Sequence, residues 1–167
     1  MTIHDENPFL DPEPDQARRL RGRLGGAVTL WTSGTPADRA GLTVSSLMVA
    51  GGEPAYVLAL LDPDSDLLAT LEETGRGVVQ VLEWRHRQLA EMFAGQAPAP
   101  GGTFAQAAFD QTGYGPRLSD VTTWAWVSLT ERRDVGWSAE VSCRIDRLEI
   151  GEEHEPLVHR RGRYLAQ

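Results

Sequence analysis

The sequence predicts a mainly β protein, an antiparallel β-barrel carrying a few short helices. Three observations lead there. About eight runs show strand patterning, whereas the helical segments are few and short. Gly and Pro are frequent, 17 and 10 of 167 residues, which suits many short elements joined by turns rather than a helical bundle. An open sheet of so many strands would leave unpaired edges, and a barrel removes them.

The length and a hydrophobic content of 41% fit one domain with a sizeable core. The domain is expected over residues 16–167, behind a polar, proline-containing arm over 1–15, "MTIHDENPFLDPEPD". That arm lacks the basic-then-apolar order of a signal peptide. A net charge of −8 argues against nucleic acid or an anionic membrane as partner, since both need a basic face. No apolar run approaches the roughly 20 residues that span a bilayer. A lone cysteine, Cys143, cannot form an intrachain disulfide, so a reducing compartment, the cytoplasm, is expected.

"DQARRLRGRLGG" reads as a helix capped by Asp15 and stopped at Gly25-Gly26. "AVTLWTS" alternates as a strand, "GTPADRA" is a surface turn, and "LTVSSLMV" is a second strand ending in the turn "AGGEPA". "YVLALL", apolar on both faces, reads as a central strand. "DPDSDLLATLEETG" is a helix with cap candidates Asp64 and Ser65 and a stop at Gly75. "GVVQVL" is a strand, "EWRHRQLAEMFAG" a helix and "QAPAPGGTFAQ" a loop. "VTTWAWVSLTER" and "WSAEVSCRIDRLEI", joined by "RDVG", carry a hairpin signature. "PLVHRRGRYL" is a last strand.

Two adjacent serines, Ser45 and Ser46, interrupt an otherwise apolar strand, and their hydroxyls need partners. The order of segments around them resembles the flavin reductase-like family, the FMN-binding split β-barrel. "GAVTLWTS" is similar to that family's G-V-T-V-V-T strand, and "GLTVSSL" to its G-x-T-x-S-S-F strand. "DPDSDL" resembles the N/D-x-x-S-x-T loop. "GRGVVQVL", "RQLAEMFAG" and "PLVHRRGRYLA" follow in the family's order. The resemblance spans about Asp15 to Ala166. It implies that Thr43, Val44, Ser45 and Ser46 lie along an isoalloxazine ring, and that Asp62 and Ser65 belong to a phosphate loop. A flat apolar ring with a polar rim needs a few oriented donors in an apolar cleft, which suits paired serines. The alternative is a Ser-Ser pair on a partly exposed strand with no ligand.

Two positions depart from the family pattern. Asp66 and Leu67 stand where relatives carry a basic residue and a threonine. Asp64-Ser65-Asp66 would then serve as a helix cap unless Arg39, Arg76 or Arg117 offsets its charge. Gly136-Trp137-Ser138 stands where relatives carry G-D-H. Trp137 either borders the substrate side or packs across strands with Trp124 or Trp126, and an indole cannot shuttle a proton.

Elsewhere, His4, His86, His154 and His159 show no metal-ligand spacing and read as exposed residues, so no metal is expected. Cys143 reads as a small core residue. The basic cluster "HRRGR" is a solvated face or a seat for an anionic tail, and Tyr164 either lies near the active-site end or fills the barrel's end.

The resemblance implies a homodimeric FMN-dependent oxidoreductase, or one using FAD, that passes hydride from NAD(P)H to the flavin and on to an acceptor. Two other readings stay open: a flavin- or ligand-binding module without turnover, and a dimeric interaction protein.

Overall fold

The computed structural model describes residues 15–166. Residues 1–14, with His4 and nearly all of the predicted arm, lie outside the described residues. The first helix, α1 (Gln16–Leu24), starts as predicted. The Asp15 carboxylate accepts the Ala17 N–H at 2.9 Å, and Gly25 ends the helix. The chain then forms β1 (Gly26–Ala27), β2 (Thr29–Thr35), β3 (Asp38–Val44), β4 (Leu47–Ala50) and β5 (Tyr56–Leu61). After α2 (Asp66–Thr74) come β6 (Arg76–Val81) and a 3-10 turn at Trp84–His86 that runs into α3 (Arg87–Phe93). The remainder is β7 (Phe109–Thr112), β8 (Gly115–Leu118), β9 (Trp124–Val135), β10 (Ser138–Glu149), β11 (Leu157–Arg160) and β12 (Arg163–Ala166).

Seven strands form one antiparallel sheet in the order β3-β2-β6-β9-β10-β5-β4. Its two edge strands, β3 and β4, are consecutive in the chain, so the sheet curls until its edges meet through Ser45-Ser46. The Leu60 N–H donates to the Ser46 carbonyl at 2.9 Å, which extends the β5 pairing into that join. This corrects the single strand expected over "LTVSSLMV". The first half pairs with β2 and the second with β5, and the chain must bend between two partners at opposite edges.

Other boundaries also shift. The predicted turn "GTPADRA" narrows to Pro36-Ala37, because Asp38 already pairs with Thr35. "PLVHRRGRYL" is a hairpin, β11 with β12, turning at Arg161-Gly162, where both residues have positive φ (53° and 76°) as a two-residue hairpin turn demands. The β7–β8 hairpin went unpredicted; its short strands carry Asp110, Gln111 and Pro116, poor strand formers. The long hairpin β9–β10 forms as expected, with a tighter turn at Gly136-Trp137.

Successive residues of each strand point to opposite faces, which gives two cores. Trp31, Val44, Val57, Ala59, Leu61, Val79, Val127, Val141 and Cys143 fill the inner one, and α2 closes it with Leu67, Leu68 and Leu71. Each buried leucine contributes about 1.5–3 kcal/mol. Outside the sheet, Val28, Leu30, Val78, Leu118 and Leu157 pack against Leu89, Ala90 and Phe93 of α3. The β5 side chains alternate: Val57, Ala59 and Leu61 are buried, whereas Leu60 faces solvent. The strand is paired on both edges, yet only one of its faces is sealed.

Candidate functional site

The predicted ring-holding residues meet at the point where the sheet's edges join. Val44 is buried in the inner core, and its carbonyl accepts the Thr29 hydroxyl at 2.6 Å. Thr43 points to the opposite face, where its hydroxyl donates to the Ala90 carbonyl of α3 at 2.6 Å. Ser45 and Ser46 are half-buried, and neither hydroxyl has a hydrogen-bond partner among the described residues. A Cβ on Gly26 would come within 2.8 Å of the Ser45 carbonyl oxygen, so β1 lies directly against the join and only glycine fits there. The segment therefore presents two uncommitted hydroxyls above an apolar core. That donor set suits the polar rim of a planar heterocycle.

Asp62 and Ser65 lie just beyond β5. The Ser65 hydroxyl donates to the Asp62 carbonyl at 2.7 Å and accepts the Leu68 N–H at 3.3 Å, so it caps α2. One Asp62 carboxylate oxygen accepts the Asp64 N–H at 2.9 Å. The three arginines considered as compensating charges sit on strands, not loops, and are engaged elsewhere. Arg39 bonds Gln111, Arg76 lies over the Tyr114 ring, and Arg117 pairs with Asp110.

Trp137 occupies the tip of the β9–β10 hairpin and is 78% exposed. Trp124 pairs with Glu149 at the hairpin's other end, so the predicted packing of Trp137 on Trp124 or Trp126 does not form. Trp126 stacks instead on Tyr114, with ring centroids 4.9 Å apart. The register of β10 on β5 pairs Ala139 with Leu61, which sets the hairpin tip beside the Asp62–Ser65 loop. Ser46, that loop and Trp137 thus gather at the C-terminal end of β5.

A cavity of about 460 Å³ lies between α3 and the β11–β12 hairpin. Trp84, Arg87, Glu91, His159, Arg163 and Tyr164 line it. This places part of the "HRRGR" cluster, together with Tyr164, at a concave site. Burial, with Glu91 nearby, pushes the Tyr164 hydroxyl up to about 12. Burial and the charge of Arg21 hold His159 below its ordinary 6.5, so its imidazole is neutral at pH 7. Sequence reasoning missed Trp84, Arg87 and Glu91; they recur on one face of a helix, a spacing that reads equally as surface.

His86 corrects an expectation. It is buried, its Nδ1 accepts the Glu83 N–H at 3.0 Å, and its Nε2 lies 3.2 Å from Asp120. Desolvation lowers its pKa from 6.5 despite the carboxylate. His159 is half-buried as well, against the edge of Tyr164. Burial pushes the Cys143 thiol up to about 12, which agrees with a core role and leaves it a poor nucleophile. Among the described residues no cluster of His, Cys, Asp and Glu could hold a metal, and no helix is long and apolar enough to cross a membrane.

A seven-stranded antiparallel sheet whose two edge strands meet at one join, with short helices packed on it, defines a split-barrel fold. The chain belongs to the flavin reductase-like family: residues 21–166 match the model of the flavin reductase like domain. It is 28% identical over 153 residues to the FMN reductase (NADH) RutF of Ancylobacter novellus, covering 91% of this chain and 84% of that protein. The RutF of Bradyrhizobium diazoefficiens is 29% identical over 140 residues, covering 83% and 77%. Among solved structures, flavin reductase PheA2 superposes with a TM-score of 0.82 at 20% identity, covering 93% of this chain and 99% of that one. The NADH:FAD oxidoreductase SgcE6 of Streptomyces globisporus C-1027, in complex with NAD and FAD fragments, gives 0.80 at 19% identity and covers 90% of each chain.

Proposed function

We propose that this protein is an NAD(P)H-dependent flavin reductase that binds FMN, or FAD, at the join between β3 and β4. The observation that carries the reading is the pair of uncommitted hydroxyls, Ser45 and Ser46, half-buried in a chain of this family. When bound, a flavin supplies a two-electron acceptor for hydride from the nicotinamide. Ser45 and Ser46 donate to the ring's polar rim and fix its orientation. Thr43 and Val44 act through the backbone they hold in place, since their side chains are committed to Ala90 and the inner core. The first turn of α2, with Asp62 and Ser65, offers unpaired N–H groups to a phosphate. Trp137 borders the substrate side with an apolar ring face.

Absorbance titration with FMN tests the reading, followed by NADH and NADPH oxidation in the presence of flavin. The expected result is a saturable flavin spectrum and flavin-dependent turnover; protein that leaves the FMN spectrum unchanged would sink it. A second reading, a flavin-binding module without turnover, is favoured by Trp137 at the hairpin tip and by the acids at Asp62, Asp64 and Asp66. Saturable flavin binding without NADH or NADPH oxidation would select it.

The proposed assembly is a homodimer in the cytoplasm. Met48 on β4 and Leu60 on β5 project from one face of the paired strands, 69% and 38% exposed, and leave apolar surface for a second copy. A monomer mass by light scattering would refute the dimer.

A further inference from the structure

A second cavity, of about 320 Å³, opens where the 3-10 turn at Trp84–His86 meets the segment that leads into β11. Glu83, Arg85, His154 and Glu155 line it. The backbone fixes how these groups meet. Glu83 pairs with Pro156 in an isolated antiparallel bridge, and the Trp84 N–H donates to the Glu155 carbonyl at 2.7 Å. Two acids from distant parts of the sequence are thereby brought to one cavity.

Glu83 is the unusual member. It is only 5% exposed, and its Oε2 accepts from Arg85 Nε at 2.9 Å. Its Oε1 is buried and has no hydrogen-bond partner among the described residues. The His86 N–H bonds the Glu83 backbone carbonyl at 2.8 Å instead, and the Glu83 N–H is taken by His86 Nδ1. A buried carboxylate oxygen without a donor is costly, and a charged N–H donor offsets more of that cost than a neutral one. The local charge points the same way. Arg85 also meets the Asp120 carboxylate at 2.9 Å, so Glu83, Asp120 and Glu155 set three acids against one guanidinium. His86 adds no charge at pH 7, because burial lowers its pKa from 6.5. The Glu155 side chain is exposed and in no ion pair among the described residues.

We propose that this cavity binds a small primary amine, whose ammonium donates to Glu83 Oε1 and to the Glu155 carboxylate. An ammonium is compact and presents three separable donors, whereas a guanidinium presents a planar fork that matches both oxygens of one carboxylate. Glu83 has a single oxygen to give, so the compact cation fits it better. All 16 basic residues of the chain are arginines. Neither this chain nor a second copy therefore has a lysine to fill the site, and the ligand is a free amine. The volume lies at the lower end of small-molecule sites, which suits a short alkyl chain. The assignment stands independently of the proposed flavin site.

The test is calorimetric titration of n-butylammonium chloride into the full-length protein at constant sodium chloride. Tetramethylammonium and guanidinium serve as comparison cations. Saturable binding of butylammonium is expected, with tetramethylammonium, which has no N–H donor, about tenfold weaker. Glu83→Gln keeps the shape of the side chain and should weaken butylammonium binding about tenfold, as should Glu155→Gln at an exposed position. If circular dichroism shows that Glu83→Gln does not fold, Glu155→Gln decides the matter alone. Absence of butylammonium binding overturns the proposal, and so does full affinity in Glu155→Gln. Equal or tighter binding of either comparison cation overturns it as well, because the site would then not be reading an ammonium.

Discussion

Two segments of this molecule each carry polar side chains where the pattern calls for apolar ones, and the structure treats them oppositely. In β6, Gln80 is fully buried and fully satisfied. Its amide nitrogen donates to the Leu30 carbonyl at 3.2 Å and to the Thr32 hydroxyl at 3.0 Å, and its oxygen accepts the Leu118 N–H. It staples β2, β6 and β8 together. At the β3–β4 join, Ser45 and Ser46 are half-buried, and their hydroxyls bond nothing among the described residues. A buried amide without partners would cost several kcal/mol, so Gln80 is a structural device. A hydroxyl within reach of water carries no such penalty, so the serines are free to serve a ligand.

The sharpest way to break this contrast is Gln80→Leu. It strands the Leu118 N–H inside the outer core, while the Thr32 hydroxyl keeps its bond to the Pro116 carbonyl, and it should cost about 2 kcal/mol in urea unfolding. A loss below about 1 kcal/mol would show the staple to be dispensable. Ser45→Ala with Ser46→Ala should do the reverse. Flavin affinity is expected to fall about tenfold while stability changes by less than about 0.5 kcal/mol, read by absorbance titration and urea unfolding of one preparation. Unfolding to the same extent as Gln80→Leu would erase the distinction.

Ser65→Ala sits between these extremes, because its hydroxyl already caps α2. A stability loss of about 1 kcal/mol is expected from the cap alone, with FMN present or absent. A loss of FMN affinity without that stability change would mean that the phosphate, not the cap, claims the hydroxyl.

The smallest effect concerns pH. His86 has a folded pKa held below 6.5 by burial, so the unfolded chain takes up its proton first as pH falls. Stability should therefore be complete above about pH 7 and decline below about pH 6.5, toward the folded value. His159, lowered in the same direction, adds to the decline. Melting temperatures from pH 7.5 down to pH 5 will flatten in His86→Gln if this account holds, and stay parallel to wild type if other groups dominate.

Much of the architecture was legible locally. Asp15 and Ser65 announced their helices, and Gly75 adopts the left-handed conformation expected of a stop. The long alternating runs of β9 and β10 flank a glycine with φ of 57°, which made their hairpin readable. The candidate site was legible only in part. Paired serines could be flagged, but nothing nearby in sequence revealed that β3 and β4 pair at opposite edges of the sheet. His86 looked like a surface residue because its neighbours are charged. Its burial depends on Glu83 and on Asp120, 34 residues away.

By itself, the sequence determined the class of fold and the caps and stops that bound its helices. Caps, turns and period-two alternation are written within a few neighbouring residues, so they survive without knowledge of distant partners. Only the tertiary structure decided which polar groups are spent and which remain available. It bonded Thr43 to α3, buried Val44, satisfied Gln80, and brought Glu91 and Arg163 to the lining of one cavity. Those outcomes depend on long-range register, where a shift of one residue turns every side chain of a strand to its other face.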